Sequence, residues 1–225
     1  MIIFLILAVL LILGLPVSFA IGMSGVIFLL IENSASPSIV PQQMFSGLNS
    51  FPLLALPFFF LAGNLMMYGT TPRLMRFANA LIGFIKGGLA GVAVAASTFF
   101  GAISGSGVAT VAAVSSVVTP EMIKKGYSRG FIASLLAGAG VLGMVIPPSM
   151  TMVVYGVSAE VSISDLFLAG IIPGLFVALC LMIWGIIVSK KRNYGGDETA
   201  FDAKELLSSF KSAILPMLLP IIILG

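Results

Sequence analysis

With 225 residues, 59% of them hydrophobic and only 8% charged, the chain has a mean hydropathy of +1.18, outside the makeup of a soluble globular domain. Its net charge of +3 comes from short clusters at segment ends and does not describe a nucleic-acid surface; with no histidine and one cysteine, imidazole chemistry and an internal disulfide are excluded. Such a chain is an integral membrane protein, and Cys180, set in an apolar run, is a packing residue.

Met1 to Ile31 carries no charge. Without a basic n-region or a clear small-residue cleavage site it does not read as a removable leader. It reads as a retained first span, about 46 Å of helix, bent near Gly14 and Pro16. Glu32 to Ser50, with Pro37 and Pro41, is a loop or short surface segment. Phe51 to Tyr68 is a second span with Pro52 and Pro57 in its first half. Thr71 to Lys86 mixes Arg73, Arg76 and Lys86 with apolar residues, as a surface-lying helix or a short crossing would. The crossing is the preferred reading and places Met1 outside.

Gly88 to Pro120 is interrupted by Gly101-Ala-Ile-Ser-Gly-Ser-Gly107. Read as helices Gly88 to Phe100 and Val108 to Val118, its halves are about 16 to 20 Å long, too short for a hydrocarbon core of roughly 30 Å. Together they predict a re-entrant hairpin with its tip at Ser104-Gly105-Ser106-Gly107. The alternative is one kinked transmembrane helix whose small residues serve close packing. A second interruption is Gly143-Met-Val-Ile-Pro-Pro-Ser149. Pro147 and Pro148 remove two backbone donors, so a helix starting near Phe131 does not run undisturbed past Val145. The result is either a non-helical stretch with freed carbonyls or a proline kink that shapes packing.

Two basic clusters, Lys124, Lys125 and Arg129, then Lys190, Lys191 and Arg192, bracket two apolar segments, Phe131 to Val157 and Ile163 to Val188. An even number of crossings puts both clusters in the cytoplasm and Glu160 and Asp165 on the other side. Asn193 to Thr199 reads as a polar linker. Asp202 to Ala213 reads as a short amphipathic helix, with Asp202 and Glu205 in capping-box spacing.

Non-helical backbone at membrane depth survives only where it is buried in protein or lines a cavity, so two such breaks point to a transport site. No ionisable residue lies clearly inside the apolar depth of the later segments, and a bound cation would need neutral oxygens. Carbonyls of Ser104, Gly105, Gly143 and Val145, with hydroxyls of Ser104, Ser106, Thr110 and Ser149, would suit Na⁺. The helix start near Gly107 would face an anionic group such as a carboxylate. Ser104 in Ile-Ser-Gly-Ser also resembles the nucleophile setting of intramembrane rhomboid proteases, but the histidine base is missing. A channel built on glycine-rich loops is a further alternative.

Ser50-Phe-Pro-Leu-Leu-Ala-Leu-Pro-Phe-Phe-Phe-Leu-Ala-Gly63, Gly87-Gly-Leu89, Phe100-Gly-Ala-Ile-Ser-Gly-Ser106, Pro120-Glu-Met122, Gly126-Tyr127, Ile146-Pro-Pro-Ser149, Tyr155-Gly156 and Leu166-Phe-Leu-Ala-Gly-Ile-Ile-Pro-Gly174 occur in that order. Across nearly all of residues 1–192 the chain resembles the large membrane subunit of tripartite ATP-independent periplasmic (TRAP) transporters. The resemblance implies an all-α integral membrane protein of elevator type, built from two inverted repeats that each hold a re-entrant hairpin and a broken helix. It implies no enzyme activity. The implied function is Na⁺-coupled import of an organic acid, sialic acid or a C4-dicarboxylate, across a bacterial inner membrane. Implied partners are a small four-helix membrane subunit, a soluble periplasmic binding protein and membrane lipid, and no nucleic acid. A divalent-anion/Na⁺ symporter of similar architecture, working without a binding protein, is the runner-up.

On this resemblance residues 1–87 are scaffold spans and an arm helix, 88–189 the transport-domain hairpin, broken helix and following span, 190–204 a cytoplasmic linker, and 205–225 the start of a second repeat. Ser104, Gly105, Ser106, Gly107, Pro148 and Ser149 are implied at the substrate, and Ser104, Gly105, Ser106, Thr110, Gly143 and Val145 at Na⁺. Thr110 departs from a pattern that often has an acidic residue nearby, and Gly107 stands where many relatives carry a larger small residue. A complete large subunit would be about twice as long. A second hairpin, a second Na⁺ site and any arginine gripping a carboxylate would then lie in a further half.

Overall fold

A computed structural model describes residues 1–32, 36, 38–49, 51–195 and 201–224, and among these every regular element is an α-helix. The chain forms two compact units, Met1–Leu54 and Ala55–Gly225. This packing division falls within a helix and is distinct from the functional division expected at residue 87.

In the first unit the expected single bent span is two helices, α1 (Ile2–Ile12) and α2 (Val17–Glu32). Gly14 takes φ +83° and Pro16 has no N–H to continue a helix, so the backbone breaks between them. The two helices pack together and bury Leu10, Ala20 and Ser24, whose hydroxyl donates to the Ile21 carbonyl at 2.8 Å. Helix α3 (Ile39–Leu48) has no buried residue and is the short surface segment expected there; Asn33 to Ala35, Pro37 and Ser50 lie outside the described residues.

Helix α4 (Phe51–Ile82) corrects a second expectation. The span and the separate Thr71 to Lys86 piece are one 32-residue helix, about 48 Å long, that runs through Pro57 and Pro72. A proline removes one hydrogen bond and crowds one carbonyl, which a long helix absorbs as a local distortion. The separate crossing is not formed, and the count that placed Met1 outside falls with it.

Helices α5 (Gly88–Ser104) and α6 (Gly107–Lys124) form a hairpin rather than one kinked helix. Each runs longer than the sequence predicts, about 26 and 27 Å, because α5 continues to the turn itself and α6 passes through Pro120. Every residue from Gly88 to Ser97 is buried, since the small side chains of α5 let α10, α6, α7, α8 and α11 all close on it.

The second interruption separates α7 (Arg129–Gly140) and the one-turn α8 (Leu142–Val145) from α9 (Met150–Ser158), with a bend of 48°. Helix α10 (Ile163–Lys191) has a mean hydropathy of 2.7 in its most apolar window. Its Ile172 and Phe176 are 77% and 66% exposed, as a lipid-facing side requires. Among the described residues α10 is long and apolar enough to cross a membrane alone, and α7 to α9 are so as a bent pair.

The last helix, α11 (Ala203–Leu224), is again one helix where the sequence predicts a short amphipathic piece followed by another. The capping box is not formed as expected. Asp202 accepts from the Lys204 N–H at 2.8 Å, while Glu205 turns to Arg76 of α4. The part of the predicted linker at 196–200 lies outside the described residues.

Candidate functional site

The hairpin tip is built by two neighbouring residues with opposite tasks. Gly105 ends α5 at φ +62°, ψ +12°, a left-handed conformation that costs a side-chain-bearing residue about 1–2 kcal/mol. Ser106 is extended and caps α6, its hydroxyl oxygen accepting from the Ala109 N–H at 3.4 Å. Within the turn the Ser104 and Thr110 hydroxyls lie 3.1 Å apart. The Ser106 carbonyl accepts from the Thr110 N–H at 3.0 Å and from the Thr110 hydroxyl at 2.7 Å. Ser104 also donates to that carbonyl at 3.3 Å. Thr110 is fully buried and Ser104 nearly so, so each hydroxyl needs these partners.

The proline break supplies the facing wall. Pro147 and Pro148 have no N–H to offer the carbonyls of Gly143 and Met144 four residues back. Ser149 compensates at Met144, donating its hydroxyl to that carbonyl at 2.6 Å, and the same oxygen caps α9 by accepting from the Met152 N–H at 3.4 Å. The Pro147–Pro148 peptide is cis, and Pro147, Pro148 and Ser149 are buried.

These two structures meet. A β-carbon at Gly101 would lie 2.8 Å from the Gly143 Cα, and one at Gly143 would lie 2.6 Å from the Thr110 hydroxyl and 2.8 Å from the Ser106 carbonyl. Gly107 is set the same way against the Gly140 carbonyl, at 2.9 Å. The Met150 N–H donates to the Gly105 carbonyl at 3.3 Å, joining the start of α9 to the hairpin turn. The junction therefore brings together Ser104, Gly105, Ser106, Gly107, Thr110, Gly143 and Ser149, with Pro148 buried beside Ser149. Val145 is set apart: its carbonyl faces α10, 2.7 Å from where a Gly170 β-carbon would sit. Gly143 lies in α8 rather than in non-helical chain, because the break begins only at Ile146.

Sequence reasoning missed Gly101, Gly140 and Met150. The signal for the two glycines was the recurrence of glycine on helices around each break, which marks close approach without naming the partner, whereas Met150 takes part through its backbone N–H and left no signal. Chemically, the junction offers hydroxyl and carbonyl oxygens and the N-termini of α6 and α9. Among the described residues no group of three His, Cys, Asp or Glu side chains is placed to hold a metal.

Interrupted helices that meet at buried neutral oxygens within an apolar helical bundle define a membrane-transport class of protein. The family model of the tripartite ATP-independent periplasmic transporter, DctM component, matches residues 4–225. The chain is 39% identical over 219 residues to the isethionate TRAP transporter permease protein DctMQ of Oleidesulfovibrio alaskensis, covering 97% of this chain and 34% of that protein. It is 41% identical over 216 residues to the C4-dicarboxylate TRAP transporter large permease protein DctM of Vibrio cholerae, covering 95% and 48%. The sialic acid TRAP transporter large permease protein SiaM of Vibrio cholerae is 39% identical over 213 residues, covering 94% and 50%. The chain belongs to the DctM family of TRAP transporter large permeases, whose members are membrane transporters and not enzymes. It spans about half the length of the two Vibrio relatives and about a third of the isethionate protein.

Proposed function

We propose that the chain forms the first repeat of a Na⁺-coupled permease that imports an organic acid through an elevator-type movement. The observation that carries this reading is the junction itself, where buried Ser104, Thr110 and Gly143 and half-buried Ser106 gather neutral oxygens between two helix starts. A hydroxyl has one proton and two lone pairs, so rotating the Ser104 and Thr110 hydroxyls turns their lone pairs inward to a cation. The Ser106 and Gly143 carbonyls complete an oxygen set of the kind Na⁺ accepts, and Gly105 holds the turn that aims it. Val145 belongs to the α10 contact and is a weaker candidate. The N-termini of α6 and α9 carry partial positive charge and face the anionic group of the substrate, with Gly107, Pro148 and Ser149 forming that wall. Relatives named for C4-dicarboxylates and for sialic acid support a carboxylate as that group, and isethionate, for which another relative is named, carries a sulfonate in its place.

In this reading the hairpin is re-entrant, residues 88–189 move as the transport domain, and residues 1–87 belong to the scaffold with a small four-helix membrane subunit. A soluble periplasmic binding protein delivers the substrate at a bacterial inner membrane. The test is uptake into proteoliposomes holding the full-length large subunit and its small partner, with and without the binding protein, and with Na⁺ or K⁺ outside. Uptake that needs both Na⁺ and the binding protein supports the proposal. Na⁺-driven uptake without the binding protein points instead to a divalent-anion symporter mode. Ser106→Ala is expected to raise the Na⁺ concentration for half-maximal uptake, and an unchanged Na⁺ dependence removes that hydroxyl from the ligand set.

A further inference from the structure

Away from the junction, the seam between α4 and α11 combines cations, hydroxyls and aromatic carbon. A cleft of about 630 Å³ is lined by Arg76, Lys204, Leu207, Ser208, Lys211 and Ser212. Leu207 also borders an apolar groove of about 460 Å³, walled by Phe77, Leu81, Leu206 and Phe210. The Phe77 and Phe210 rings lie 5.6 Å apart and close the seam between the helices. Glu205 orients the Arg76 guanidinium, accepting from Nε at 2.6 Å and from Nη2 at 2.8 Å, which leaves the remaining guanidinium donors for another acceptor.

The position of this seam matters as much as its lining. All 11 basic residues of the chain lie between Arg73 and Lys211, and contacts gather their segments at one end of the second unit. The Phe84 and Phe201 rings are 5.2 Å apart, the Tyr127 and Tyr194 rings 4.8 Å apart, and the Gly195 N–H donates to the Lys125 carbonyl at 3.2 Å. By the positive-inside bias this end is cytoplasmic. Arg76 lies six residues before the end of α4, about 9 Å along the helix from that end.

We propose that the Arg76–Lys204–Lys211 cleft holds the phosphate of an anionic phospholipid from the cytoplasmic leaflet, with an acyl chain along the Phe77–Phe210 groove. Charge complementarity selects this occupant. Arg76 balances Glu205 and Asp202 offsets one lysine, so the cluster keeps one surplus positive charge beside the free Arg76 donors, and the apolar groove beside it takes hydrocarbon that a free phosphate lacks.

The experiment uses the full-length protein, delipidated in neutral detergent, with native mass spectrometry counting bound phosphatidylglycerol against phosphatidylcholine of identical chains. Inorganic phosphate forms a third arm. The expected result is retention of phosphatidylglycerol over phosphatidylcholine, weakened about fivefold by Lys204→Gln and about 25-fold by Lys204→Gln with Lys211→Gln. Both lysines are exposed, so these changes leave folding intact. Lys124→Gln with Lys125→Gln, at the same end but outside the cleft, is expected to leave the preference unchanged. Equal retention of both lipids, an unaltered preference in the Lys204/Lys211 variant, or an equal loss in the Lys124/Lys125 variant would overturn the proposal. Displacement of the lipid by an equal concentration of inorganic phosphate would also overturn it, since the site would then recognise phosphate alone.

Discussion

At Ser104 to Gly107 the chain reverses direction, whereas at Ile146 to Ser149 it bends by 48° and continues. The reversal depends on what the backbone can do: Gly105 enters the left-handed region, and the oxygens of Ser104, Ser106 and Thr110 then bond one another across the turn. The bend depends on what the backbone lacks, because two successive prolines have no N–H for the preceding turn. Ser149 replaces the missing donor at the Met144 carbonyl. A tip held by mutual hydrogen bonds is thus set against a break in which Pro147 and Pro148 supply no N–H to the turn before them.

The contact between the two regions is the most sensitive point. Gly143→Ala places a β-carbon 2.6 Å from the Thr110 hydroxyl and 2.8 Å from the Ser106 carbonyl, and the backbone oxygen cannot swing aside. Loss of about 2–3 kcal/mol of stability is expected, together with loss of uptake. Chemical denaturation of the purified full-length protein checks this, and wild-type values would mean that tip and break are not tightly interlocked.

Thr110→Val acts on the tip alone. It keeps the shape but removes the hydroxyl that bonds both the Ser106 carbonyl and Ser104, at an expected loss of about 1–2 kcal/mol. A matching rise in the Na⁺ requirement for uptake would separate a ligand role from a packing role.

The break responds to a different change. Pro147→Ala with Pro148→Ala returns two N–H donors, so the bend is expected to relax with a stability change within about 1 kcal/mol while uptake falls. Spin-label distances between α7 and α9 report the bend directly. An unchanged distance with normal uptake would show that neighbouring helices, and not the prolines, impose the shape.

The smallest effect is expected far from both breaks. Arg76 hydrogen-bonds the Glu205 carboxyl, in the first turn of α11, and holds it below the ordinary carboxylate value. Stability from this pair is therefore present above the unfolded-state carboxyl value, near pH 4.3, and is lost as pH falls through the lowered folded value. Melting midpoints of wild type and Glu205→Gln should converge as the pH drops through that range. Both side chains are exposed and screened by salt, so the gap is small. A gap that persists in acid would assign the effect of Glu205 to packing.

Much of the site was legible before any fold was known. Gly105, Pro147 and Pro148 announce interruptions because their backbone properties are local, and Ser104, Ser106, Thr110 and Ser149 stand out as hydroxyls in apolar surroundings. Other readings failed for the complementary reason. Phe51 to Tyr68 and Thr71 to Lys86 read as two pieces, yet α4 runs unbroken from Phe51 to Ile82 through Pro57 and Pro72. Asp202 and Glu205 have the spacing of a capping box, yet Glu205 is taken by an arginine 129 residues away. Val145 has the right type of carbonyl in the right stretch, but the direction in which it points is set by α10.

The sequence by itself determined the membrane class, the position of the two interruptions and the uncharged chemistry between them. Each follows from composition, from a missing donor or from a freed φ, which are properties of residues and their immediate neighbours. Only the tertiary structure decided that Gly101 lies on Gly143, that Met150 bonds Gly105, that one helix replaces two at α4, and that α4 and α11 close on each other through Arg76 and Glu205. These depend on which surfaces meet in the packed chain, and such long-range choices are fixed by the summed burial of many side chains rather than by any one of them.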